Sequence, residues 1–157
     1  MPAIVGGEWL LPSPLDRDEL RSEFNARRRE YDEKRIPLGE VDAALGDGWQ
    51  VQNQDEKRAK VRKRKPTDHR LENRFWTAMY RLGFSELSPV RGFKVLVSKK
   101  SEPTLYKQVD VFAKDDETVI VAECKSCETP KRRALQKDLN EFVALKGPMA
   151  TAIRKHY

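Results

Sequence analysis

Asp110, Glu123 and Lys125 are the residues of this chain whose types and spacing could do chemistry. They lie in Gln108–Ser126, QVDVFAKDDETVIVAECKS, which reads as two β-strands around a tight acidic turn at Lys114–Glu117. β-Branched and aromatic residues fill both arms, Val109, Val111 and Phe112 before the turn and Thr118–Cys124 after it. With Ala113 paired to Thr118, Asp110 sits across from Val121. Period two then puts Asp110, Val121, Glu123 and Lys125 on one face. Val109, Val111, Ile120, Ala122 and Cys124 take the other face, the predicted core side. Acids beside an apolar hairpin cost free energy unless they are paired or bind a metal. Two carboxylates at diagonal distance repel, and a divalent cation between them cancels that repulsion. A few oxygen ligands suit Mg²⁺ or Mn²⁺, which keep several waters and accept phosphate oxygens. The Cys124 backbone carbonyl, between Glu123 and Lys125, could be a further ligand. A lysine two residues past the second acid can orient or deprotonate a water and screen phosphate charge. A plain surface hairpin with an Asp–Lys cross-strand pair shows the same residues.

Two helices must position such a hairpin. Pro66-Thr67-Asp68 opens a helix predicted over 68–82, with Thr67 or Asp68 as its cap and Gly83 as its stop. Leu71, Phe75, Met79 and Leu82 form its apolar stripe, with Trp76 on the flank and Glu72 at the edge. If the stripe covers the hairpin, Glu72 reaches the site as a third acid; otherwise it serves the helix dipole. His69, in the first turn, reads as solvated. Gly92–Ser98 alternates as a half-buried strand through Phe93, Val95 and Val97. After a polar loop and the hairpin, Thr129-Pro130 starts a second helix at Lys131. Leu135, Leu139, Phe142 and Val143 give its apolar side, Gly147-Pro148 is predicted to break it, and Met149–Tyr157 reads as helical again. Lys131, Arg132 and Arg133 crowd its first turn against the dipole preference, a placement that nearby phosphates would favour.

Ahead of these elements, Met1–Pro14 reads as an extended lead-in. Leu15–Arg35 is helical in composition, with acids near its start and bases near its end. Leu20, Phe24 and Tyr31 give it a docking stripe, and Arg27–Glu30 a solvated face. Val41–Leu45 makes one or two turns before Gly46-Asp47-Gly48, and Trp49–Gln52 a short extended piece. Lys57–Lys65, KRAKVRKRK, has seven basic residues in nine, which no core is predicted to use. Lys57, Arg58, Lys60, Arg62, Lys63, Arg64 and Lys65 either contact an anion or form a self-repelling linker.

The chain has 157 residues, 38% of them hydrophobic, which predicts one modest core. Charged residues reach 36% with a net charge of +6, favouring a polyanionic partner. No long apolar run or secretory leader is present, so the expected setting is soluble and cytoplasmic, without a membrane. Cys124 and Cys127 make a lone CxxC. Zinc would need two more ligands, which His69 and His156 are not spaced to supply.

Asp110, twelve residues, then Glu123-Cys124-Lys125 resembles the D…(D/E)xK signature of the PD-(D/E)xK superfamily of restriction-endonuclease-like nucleases. Val109 stands where the name-giving motif has proline. The resemblance spans roughly residues 66–157, with 1–65 as an amino-terminal helical extension and basic linker. It implies an α/β (α+β) core of helix, three antiparallel strands, helix and strand. The last strand is not found, so this chain is expected to be a fragment of a longer one, or to be completed by another chain such as a second copy. Asp110, Glu123 and Glu72 would hold Mg²⁺ or Mn²⁺ and Lys125 would be catalytic. Gln136 partly matches the glutamine of RecB-like nucleases after their ExK strand. Lys131, Arg132 and Arg133, with the 57–65 run, would grip the backbone. The order LENRFW…GF…QVDVFAKDDET…AECKS is also similar to the amino-terminal part of longer bacterial proteins with a DGQHR domain, linked to DNA modification and phage defence. The implied function is a metal-dependent nuclease acting on nucleic acid, DNA favoured, in restriction or phage defence. Two alternatives remain: a silent nuclease-like fold that binds nucleic acid or assembles with a larger protein, and a regulator docking through 15–35.

Overall fold

The structure, a computed structural model, describes residues 4–5, 8–9, 15–89, 93–98, 105–126 and 132–156. Among them are four α-helices and several small antiparallel sheets, a mixed α/β arrangement. The first strands, β1 (Ile4–Val5) and β2 (Glu8–Trp9), pair with each other. Most of the predicted lead-in and the 99–104 loop lie outside the described residues.

Helix α1 (Arg17–Arg27) begins with a capping box: Asp16 accepts from the Asp18 and Glu19 amides, and Glu19 accepts from the Asp16 amide. The predicted helix over 15–35 stops there. Tyr31–Pro37 is instead strand β3, and Tyr31 leaves the helical stripe. The cause is pairing at long range. Strand β5 (Arg58–Arg64), flanked by β3 and β4 (Gln50–Gln54), is the centre of a three-stranded sheet. Its register sets Asp32 opposite Lys63 and Glu33 opposite Arg62, so the cations of the run meet acids across the ladder. The linker reading of 57–65 is thereby corrected. Ala59 and Val61 are buried with Ile36 and Ala44, the last from helix α2 (Val41–Gly46).

Helix α3 (Thr67–Arg81) keeps its predicted span and ends before Gly83, whose φ of 94° places it in the left-handed region. Two details differ. No side chain caps its start at Pro66, so neither Thr67 nor Asp68 does. Its buried residues are Glu72, Trp76, Thr77 and Met79, while Leu71 and Leu82 are exposed. The packed face is thus rotated by one position, and Trp76, 0% exposed, is its centre. The indole N–H donates to the Ser88 carbonyl at 2.9 Å, and the Ser88 hydroxyl accepts from the Phe112 amide at 3.2 Å.

Strands β6 (Glu86–Leu87), β9 (Val111–Lys114) and β10 (Val119–Ala122) form one sheet, with β9 central. Strands β7 (Phe93–Ser98) and β8 (Leu105–Val109) form another. The hairpin register is Lys114 with Val119 and Val111 with Ala122, shifted by two residues from the predicted pairing. The turn is Asp115–Thr118, where Asp115 Oδ1 accepts from the Glu117 and Thr118 amides. Both sheet faces are covered. Val111, Ala113, Ile120 and Ala122 pack with Leu20 of α1 and with Trp76 and Met79 of α3. Phe112, Val119 and Val121 pack with Phe93, Val109 and Met149. Val109 and Val111, predicted to share a face, therefore pack on opposite sides, because the chain bends at Asp110.

Met149 belongs to α4 (Arg132–His156), which runs unbroken through Gly147 and Pro148. The predicted break is overridden. Gly147 lacks the Cβ that would crowd the following proline ring, and Met149 and Ile153 beyond it pack into the core. The face of α4 turned to the sheet is Phe142, Leu145, Met149 and Ile153, whereas Leu135, Leu139 and Val143 are exposed. No helix among the described residues is long and apolar enough to cross a membrane.

Candidate active site

The bend between β8 and β9 positions Asp110. Its amide donates to the Ala122 carbonyl at 3.1 Å, and its Oδ2 accepts from the Cys124 amide at 2.6 Å. Because of the two-residue shift, the ladder continues toward Asp110 opposite Glu123 rather than Val121. The register differs from the expectation, yet a shift of two keeps the paired residues of β9 and β10 on their predicted faces. Glu123 and Lys125 remain on one side, with Lys125 Nζ 3.1 Å from Glu123 Oε1.

Around Glu123 the charges are ordered. Its side chain is 16% exposed, and Oε1 also faces Lys107 Nζ at 3.8 Å. Among the described residues, Oε2 is buried without a hydrogen-bond partner. Lys125 is held above the ordinary lysine range, first by its hydrogen bond to Glu123 and then by the charges of Glu123, Asp138 and Asp110. At neutral pH it is an ammonium. Cys124 is half-buried and its thiol is pushed up to about 11, by burial first and then by Asp110, Glu72 and Glu123. That thiol is a poor nucleophile, and Cys127 lies outside the described residues. Glu72 also contributes to that shift, from a helix whose Trp76 and Met79 pack against the hairpin.

Lys107 and Asp138 join Glu123 and Lys125, and sequence reasoning missed both. Asp138 Oδ2 lies 3.9 Å from Lys125 Nζ. It falls four residues before Phe142 and seven before Leu145, on the packed face of α4, a spacing that was readable once that face was known. Lys107 carries no such signal, because its approach depends on the bend at Asp110.

The other candidates lie elsewhere. Gln136 is exposed and donates to Asn140 Oδ1 at 3.0 Å. Lys131 and the side chains of Arg132 and Arg133 are outside the described residues. Of the 57–65 run, Lys60 pairs with Glu33 at 2.9 Å, Arg64 with Glu30 at 3.9 Å, and Lys65 with Asp32 at 3.7 Å. Lys63 Nζ donates to the Asp47 carbonyl. His69 is partly exposed beside Asp68, 3.9 Å away.

Among the described residues no three His, Cys, Asp or Glu side chains stand close enough to hold a metal by themselves. The carboxylates of Asp110 and Glu123 nonetheless suit a hard cation that keeps most of its waters, and the unpartnered Glu123 Oε2 is an oxygen such a cation would satisfy. The chain matches no family model, no curated protein and no solved structure.

Proposed function

We propose that this chain is a divalent-metal-dependent phosphodiesterase of the PD-(D/E)xK kind, hydrolysing nucleic acid, with DNA as the favoured substrate. The observation that carries the reading is the buried, unpartnered Glu123 Oε2 beside Asp110 and an ammonium at Lys125. A binding module gains nothing from acids aimed at phosphate, whereas a hydrolase needs them. Asp110 and Glu123, with the Cys124 carbonyl and Glu72 as further oxygens, are the groups that would hold Mg²⁺ or Mn²⁺. When bound, such an ion acts as a Lewis acid at the phosphoryl oxygen and lowers the pKa of water. Lys125, kept protonated by Glu123, donates hydrogen bonds. Its part is to orient the attacking water and to meet charge building on the phosphate, rather than to remove a proton. Glu72, buried on α3, is the third acid of the proposed set.

Titration calorimetry checks the metal assignment. Wild-type protein is expected to bind Mg²⁺ or Mn²⁺ weakly, since few protein ligands hold the ion before substrate phosphate joins. Glu123→Gln and Asp110→Asn should each weaken it by at least about 10–100-fold, the loss seen when even outer-shell partners are removed. Equal binding in wild type and Glu123→Gln would end the assignment.

One observation favours a second reading, a silent nuclease-like fold that binds or assembles. Asp110 Oδ2 is already engaged by the Cys124 amide, and two lysines already face Glu123 Oε1. That reading predicts no metal-dependent cleavage of any nucleic acid.

A further inference from the structure

We infer that the open face of the β3–β5–β4 sheet is a sequence-independent duplex-DNA surface, holding the phosphate backbone apart from the acidic site. The inference rests on the function proposed above only for its class of substrate. Its foundation is the alternation of β5. Ala59 and Val61 turn inward to α2, so Arg58, Lys60, Arg62 and Arg64 project from the other face. Arg35 of β3, the register partner of Lys60, adds a fifth cation. Two carboxylates meet this row, Glu33 at 2.9 Å from Lys60 and Glu30 at 3.9 Å from Arg64, so the row keeps an excess of positive charge. The remaining basic residues do not share the row. Lys63 and Lys65 donate to the Asp47 and Ala26 carbonyls and are tied down.

Geometry and chemistry both suit phosphates. Alternate side chains on a strand repeat at about 6.8 Å, the axial advance of two nucleotides in one strand of B-form DNA. A cavity of about 130 Å³ opens on this face among Arg35, Asn53, Arg58 and Lys60. Asp55 also lines it as a carboxylate that accepts from the Lys57 and Arg58 amides, and its negative charge offsets one of the cations. Three cations and an amide against one carboxylate leave this small cavity net positive, the balance a phosphate seat needs. Base stacking is disfavoured, because the aromatic ring here, Tyr31, lies under the Arg62 guanidinium at 4.7 Å. An acidic membrane would also attract the charge, yet this row presents no large apolar side chain for insertion.

The test is a salt series of fluorescence anisotropy on a short DNA duplex, run in EDTA so that cleavage plays no part. The quadruple substitution Arg58→Gln, Lys60→Gln, Arg62→Gln, Arg64→Gln should lower the slope of log K against log salt by about 3–4, near 0.9 per phosphate contact. Lys63→Gln with Lys65→Gln should leave the slope unchanged. An unchanged slope in a folded quadruple variant, or an equal loss per charge in the control, overturns the inference. So does tighter binding to single-stranded DNA or to phosphatidylserine vesicles than to duplex. If the quadruple variant fails to fold by circular dichroism, Arg35→Gln and Arg58→Gln decide, each expected to remove about 0.9 from the slope. No change in either overturns it. Duplex binding without Mg²⁺-dependent cleavage would keep this surface and remove the phosphodiesterase reading, while cleavage with unaltered slopes would do the reverse.

Discussion

Lys125→Ala is expected to slow Mg²⁺-dependent cleavage by roughly 10²–10⁴-fold, the range of a positioned proton-handling or charge-stabilising group. Metal binding should persist or tighten. The substitution leaves Asp110 and Glu123 in place and frees Glu123 Oε1 from the nearer of the two lysines that face it. Duplex affinity should fall only slightly, by one phosphate contact at most. That combination separates a catalytic cation from a structural one: a lysine needed only for folding would lower metal binding, affinity and melting temperature together. Lys125→Arg should restore the charge and part of the rate. Cleavage by Lys125→Ala at the wild-type rate would remove its catalytic role. Absence of cleavage by wild type on DNA and RNA alike would favour the silent fold.

The second large effect is on stability. Trp76→Ala is expected to cost about 3–5 kcal/mol, the usual loss for a fully buried aromatic, against a total stability of about 5–15 kcal/mol for a native domain. It removes the centre of the cluster that joins α1, α3 and β9, and it strips the Ser88 carbonyl of the indole N–H. Trp76→Phe should recover most of the packing and lose the hydrogen bond, roughly 1 kcal/mol. Leu71→Ala, at a side chain 37% exposed, should cost about 1 kcal/mol or less. Urea unfolding reads all three as midpoint shifts. Equal losses for Trp76→Ala and Leu71→Ala would mean that α3 packs through its Leu71 face, with Glu72 turned away from Cys124.

The comparison between α3 and α4 explains what could be read from the sequence. Both helices were legible as helices, yet the packed face of each is rotated by one position. Four-residue spacing in Leu71, Phe75 and Met79 describes a stripe, but Trp76 and Glu72 lie on the adjacent one. Choosing between adjacent stripes depends on the surface beneath, which one sequence does not contain. In α4 the same ambiguity hid Asp138. The hairpin itself was legible for the opposite reason, since within the paired strands period two is strict and a register error of two residues changes no face. The basic strand was not legible because its partners are remote. Nothing near Arg58–Arg64 announces a sheet, and the acids that neutralise its ladder, Asp32 and Glu33, lie in a segment whose composition favours helix. Gly147-Pro148 misled in a similar way, as tertiary packing on both sides outweighs the local breaker.

Asp110 joins chemistry to architecture through one carboxylate. Its side chain fastens the amide of Cys124 at the point where the ladder of β9 and β10 ends and the chain bends. On the proposed reading, an aspartate here would have two independent reasons to persist through evolutionary drift, the strand-end fastening and the metal site. In any descendant or relative that has lost hydrolysis, this position could keep its acid purely as a fastening for the strand end. Asp110 alone is therefore a poor diagnostic of an active lineage. On the proposed reading, the unpartnered Oε2 of Glu123 among the described residues is the more telling feature, since the ion pairs of Glu123 and Lys125 engage only Oε1.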